Sequence, residues 1–86
     1  MKNVLDLLCF LRMMEELLGV VAQKGETSRY SEMGKSLIDS VCIESGIDPE
    51  QALAMFNKSA LGPEARQKFN DLNAWLKVRG YRQFHF

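Results

Sequence analysis

With successive residues placed about 100° apart, Leu7, Phe10, Leu11, Met14, Leu17, Leu18 and Val21 gather on one broad face of a helix predicted over residues 2–23. Leu5, Leu8 and Cys9 fall outside that face. The first three turns are therefore apolar on nearly all sides. Gly25 and its polar neighbours from Lys24 to Ser28 end this helix in a loop. A second helix is predicted over residues 29–45, with Tyr30, Met33, Leu37, Ile38 and Val41 in a narrow inward stripe and Glu32, Lys35, Asp39 and Glu44 facing water. Gly34 lies on the stripe itself. Glycine there weakens a helix by about 1 kcal/mol relative to alanine, so its position predicts close approach by another helix. Gly46 is the expected left-handed cap.

The next start signal is the clearest local feature: Asp48 as N-cap, Pro49 at the first helical position and Gln51 to close a capping box. It predicts a third helix over residues 49–59 carrying Ala52, Leu53, Met55 and Phe56. Leu61-Gly62-Pro63 breaks the chain, and Pro63 opens a fourth helix over residues 63–79, with Ala65, Phe69, Leu72, Trp75 and Leu76 inward. Gly80 closes it, leaving a tail over 80–86 with Tyr81, Phe84 and Phe86. No stretch alternates polar and apolar residues as a strand does, and no repeat is present. The reading is all-α: a single domain over residues 1–86, built as a compact four-helix bundle or an orthogonal helical array.

Eighty-six residues, 47% of them apolar and 26% charged, match a globular chain near the lower size limit for folding alone. The net charge is zero but unevenly placed. Residues 1–57 hold five basic and nine acidic side chains, and residues 58–86 hold six basic and two acidic. That imbalance either attracts an acidic partner or pairs one half of the fold with the other. Asp6, Arg12, Glu15 and Glu16 interrupt the N-terminal apolar run, which argues against an export signal or a membrane span and for a cytoplasmic protein. Cys9 and Cys42 sit among apolar residues and are expected to be reduced core thiols.

Few polar groups converge on any chemistry. The single histidine, His85, cannot build a multi-histidine metal site, and no Cys-x-x-Cys supplies thiolates. Glu15 and Glu16 point about 100° apart on a helix, so they form no acid–base dyad. Asp48 and Glu50 complement a helix N-terminus. The expectation is a chain with no catalytic residues, metal or cofactor.

Three features point to binding instead. At the join of helices two and three, Cys42, Ile47 and Ala52 meet the spacing of a helix-turn-helix, which makes a DNA-binding transcriptional regulator the alternative reading. The candidate recognition helix, however, starts with Pro49 and Glu50 and has no basic residue before Lys58. At the C-terminus, Trp75, Arg79, Tyr81, Arg82, Phe84 and Phe86 interleave aromatic and basic groups, the composition of an interface hot spot, and are the candidate partner-binding residues. On helix one, Leu5, Leu8 and Met13 are the candidate seam of a homodimer. These features point to a non-catalytic intracellular adaptor, inhibitor or regulator that binds a protein partner. Nucleic acid is the secondary partner class, and a membrane is not expected.

Overall fold

The computed structural model of the chain describes residues 4–48, 50–51 and 59–85. The first helix, α1, runs Leu7–Gln23 and not from residue 2. Asp6 is its N-cap, in an extended conformation, and its carboxylate accepts a hydrogen bond from the Cys9 amide at 3.2 Å. An aspartate able to satisfy an orphan N–H favours the cap over the helix interior. The residues before it are consequently extended.

Val4–Leu5 form a short strand, β1, which pairs antiparallel with β2, Ser59–Ala60, in the register Val4 to Ala60 and Leu5 to Ser59. This corrects the strand-free expectation. Two residues are too few for alternation to register, and the pairing partner lies far along the chain. It also relocates Leu5, which sits in β1 and is completely buried in the core, away from the helix surface where a dimer seam was expected.

Helix α2 spans Thr27–Ser45 and ends on Gly46, whose φ of 71° supplies the predicted left-handed cap. Gly34 is buried where α1 crosses α2, and a Cβ there would run into the Met14 side chain. Helix α3 spans Pro63–Val78, with Pro63 in its first turn and Arg79 and Gly80 closing it. The helix predicted over 49–59 lies mostly outside the described residues. Its start is visible: the Asp48 carboxylate accepts from the Glu50 amide and the Asp48 carbonyl from the Gln51 amide, both at 2.9 Å. Its expected end is not helical, because Ser59 belongs to β2. Among the described residues the architecture is thus mostly helical, with three helices and one two-stranded pair; the remaining helix of the expected four-helix bundle falls mostly outside them.

The α3 N-terminus shows why such a small fold holds its helices in place. Its N-cap is Gly62, which has no side chain to satisfy the first amides. Glu44, at the far end of α2, does so instead: its two carboxylate oxygens accept from the amides of Glu64 at 3.1 Å and Ala65 at 2.9 Å. A Cβ at Gly62 would collide with this carboxylate. The glycine leaves room for a cap supplied from elsewhere in the chain.

The core gathers Phe10 and Val21 of α1, Tyr30, Leu37 and Val41 of α2, Leu72 and Leu76 of α3, and then Tyr81 and Phe84 beyond it. A smaller cluster joins Leu7, Cys42, Ile38 and Ile47 at one end. Burial is completed by polar contacts: the Tyr30 hydroxyl donates to the Met14 carbonyl at 3.0 Å. Desolvation pushes the Tyr30 phenol well above its ordinary range.

Candidate functional site

The C-terminal residues singled out by composition are folded onto the helices. The Tyr81 amide bonds back to the Leu76 carbonyl at 2.9 Å as the chain leaves α3. Asn73 then clamps the backbone of Phe84, accepting from its N–H at 2.9 Å and donating to its carbonyl at 3.1 Å. The Phe84 ring is buried edge-on against Phe10, with centroids 5.2 Å apart. Tyr81 is buried too, and stands 6.1 Å from Trp75, itself 6.2 Å from Tyr30. Trp75 is half-buried in this aromatic row, and Phe86 lies outside the described residues.

The two arginines of the set are tied to the acidic half of the chain. Arg79 stacks its guanidinium 4.3 Å over Trp75 and donates from Nε to Glu26 at 2.7 Å. The same Glu26 carboxylate accepts from the Tyr81 hydroxyl at 3.4 Å. Burial, then the charge and hydrogen bond of Glu26, raise the Tyr81 phenol, with Arg79 opposing. Arg82 reaches Glu16 of α1 at 3.7 Å. The uneven charge along the sequence is therefore used in part as an internal dipole, joining the basic tail to Glu16 and Glu26.

Of the residues expected on a dimer seam, Leu5 is in the core, Met13 is partly buried against it, and Leu8 is 55% exposed. Cys9, expected in the core, is exposed on α1, because it lies outside the face of Leu7, Phe10 and Val21 that turns inward; Cys42 is buried, and both thiols are free. Burial, followed by the charges of Asp39 and Asp48, raises the Cys42 thiol above its ordinary range, which disfavours a nucleophilic thiolate. At the helix-turn-helix join, Cys42 and Ile47 pack together, while Ala52 lies outside the described residues. Among the described residues no group of three or more His, Cys, Asp or Glu side chains is placed to hold a metal ion, and no helix is long and apolar enough to cross a membrane.

What composition alone does not reveal is a groove of about 580 Å³ between α2 and α3. Met33 and Trp75 line it together with Ser36 and Ala74, and Arg29, Glu32, Lys68 and Asp71 stand around them. The rows 29, 32–33, 36 on α2 and 68, 71, 74–75 on α3 follow the i, i+3, i+4 spacing of one helix edge. That spacing is the signal in the sequence that could have found it. Its charges are partly engaged locally: Arg29 with Glu32 at 3.1 Å, Lys68 with Glu64 at 3.8 Å, and Asp71 accepting from Gln67 at 2.8 Å. A second groove, of about 470 Å³, runs between α1 and α2 beside Leu8, Leu11 and Leu18. No protein-family model, curated protein or solved structure matches the chain.

Proposed function

We propose that this protein is a non-catalytic binding module, an adaptor, inhibitor or regulator, that holds a segment of a protein partner in the groove between α2 and α3. The observation that carries the reading is Trp75: Tyr30 and Tyr81 stand beside its ring, Arg79 stacks over it, and it lines a concave surface together with Met33. A large ring held in place, next to an adaptable thioether and an arginine, has the composition of an interface hot spot. Both charge signs surround it, Arg29 and Lys68 with Glu32 and Asp71. A polypeptide of mixed charge suits that rim, whereas the two carboxylates repel the phosphates of a nucleic acid.

The DNA-binding alternative is favoured by the packed Cys42–Ile47 pair but opposed by the charge of the same region, where Glu44, Asp48 and Glu50 cluster. Arg79 and Arg82, which would have to contact phosphates, are paired with Glu26 and Glu16. The free thiols, one of them exposed, suit a reducing compartment, and we place the protein in the cytoplasm.

The test is affinity capture from a native lysate with and without nuclease, followed by titration of the captured partner against Ala74→Arg. Ala74 is exposed in the groove, so the arginine blocks it without entering the core. Binding that resists nuclease and falls about tenfold or more in the variant, at an unchanged melting temperature, is the expected result. Binding lost with nuclease returns the DNA reading to first place, and a partner indifferent to Ala74→Arg removes the groove from the mechanism.

A further inference from the structure

Helix α1 has an outer face as well as the inner one that builds the core. Directly opposite Phe10 and Val21 run Leu8, Arg12, Glu15, Gly19 and Ala22, all exposed. Their spacing of four, three, four and three residues is that of a coiled-coil seam, in which one stripe of a helix meets another helix along its length. Leu18, 38% exposed, and Leu11 flank the stripe on the side of the groove between α1 and α2. From Leu8 to Ala22 this seam is about 21 Å long.

Two features of the stripe have no role among the described residues of a single copy. Gly19 is exposed in mid-helix, where glycine weakens a helix, yet a Cβ added there would meet nothing within 4 Å. No contact with the described residues requires its smallness. Arg12 and Glu15 make no ion pair with the described residues, although Glu16 and Glu26 of the same half do.

We propose that α1 pairs antiparallel with α1 of a second copy, about a two-fold axis beside the Met13–Met14 peptide. In that register Arg12 of each copy faces Glu15 of the other, and Leu8 of each faces the gap left by Gly19 of the other. The stripe is self-complementary in charge and in shape, as an isologous interface must be. Other registers are poorer: shifting the axis to place Glu15 opposite Glu15 brings like charges together. The occupant is therefore a second copy of this chain and not an arbitrary apolar helix. The face is separate from the groove between α2 and α3, so the dimer and the partner-binding reading stand or fall independently.

The experiment is sedimentation equilibrium of the full chain, from about 10 µM to 1 mM so as to include a weak, small interface. Wild type is expected to dimerise, and Arg12→Glu and Glu15→Arg are each expected to weaken association about tenfold or more, because every copy then meets its own charge. All these positions are exposed, and far-UV circular dichroism checks that the variants keep their helices. Mixing the two single variants restores both ion pairs and should yield a heterodimer from two monomers; the double variant should self-associate like wild type. A monomeric wild type overturns the proposal, as does a wild-type dimer indifferent to both single swaps or a mixture that stays monomeric.

Discussion

The tail and the outer face of α1 look alike in composition, each with large apolar groups beside charges, yet the fold treats them in opposite ways. Tyr81 and Phe84 are drawn into the core, and Arg79 and Arg82 are paired across to α2 and α1. Leu8, Leu18 and Val20 of α1 stay exposed, and Arg12 and Glu15 remain outside the ion pairs of the described residues. The difference lies in what the neighbouring backbone offers. Gly80, with φ of 78°, turns the chain back over α3, and Asn73 waits there with a donor and an acceptor for the Phe84 backbone. Among the described residues nothing comparable covers the outside of α1. Apolar content alone cannot separate a core from an interface.

The strongest way to break this comparison is Phe84→Ala. If the tail is part of the core, losing a ring that is 1% exposed and set against Phe10 should cost about 3–5 kcal/mol, a large share of the stability of so short a chain. Urea denaturation measures it. A loss under about 1 kcal/mol would mean the tail only rests on the surface and is free to serve a partner.

Much of the fold was legible because local signals and periodicity agree. The cap at Gly46, the close approach at Gly34, the start signal at Asp48 and the opening of α3 at Pro63 all follow from residues within a turn of the feature they set. What could not be read depends on distant pairings. β1 exists because Val4 and Leu5 meet Ser59 and Ala60, and the α3 cap exists because Glu44 arrives from α2. The tail's place depends likewise on Asn73 and Phe10. The groove between α2 and α3 was half legible: Trp75 was singled out, but its neighbours Met33 and Ala74 acquire meaning only once the two helices are side by side.

Glu44→Ala tests the distant cap at intermediate size. Two amides of α3 lose their acceptor while Gly62 has none to offer, so stability should fall by about 1–2 kcal/mol. The loss should show in the denaturation midpoint, with amide exchange fastest at Glu64 and Ala65. An unchanged midpoint would mean that water caps α3 equally well.

Tyr30→Phe sharpens the same contrast through pH. Burial raises the folded phenol, so above about pH 10 the unfolded chain loses this proton while the folded chain keeps it. The folded state then binds more protons than the unfolded one. The contribution is fully present below the unfolded value and is lost as pH rises beyond it. Urea midpoints measured between about pH 9 and pH 11 should decline in wild type and decline less steeply in Tyr30→Phe, with Tyr81 and Cys42, both also raised, supplying what slope remains. Equal slopes would place the alkaline loss elsewhere.

The smallest effect is the most pointed, because Leu5 and Leu8 lie three residues apart and carry the same side chain. Leu5 is fully buried in β1, so Leu5→Ala should cost about 2–5 kcal/mol at any protein concentration. Leu8 is 55% exposed on the outer face, so Leu8→Ala in dilute solution should change stability by no more than about 0.5 kcal/mol. Asp6 is the cause of that divergence: by capping α1 it ends one backbone geometry and starts another between the two leucines. Raising the concentration should separate wild type from Leu8→Ala if α1 pairs with a second copy, since association stabilises only the state that binds, and the wild-type melting temperature should then climb while the variant's stays flat. A Leu8→Ala loss as large as that of Leu5→Ala in dilute solution would instead mean that Leu8 is held by contacts within one copy, and the outer face of α1 would have to be redrawn.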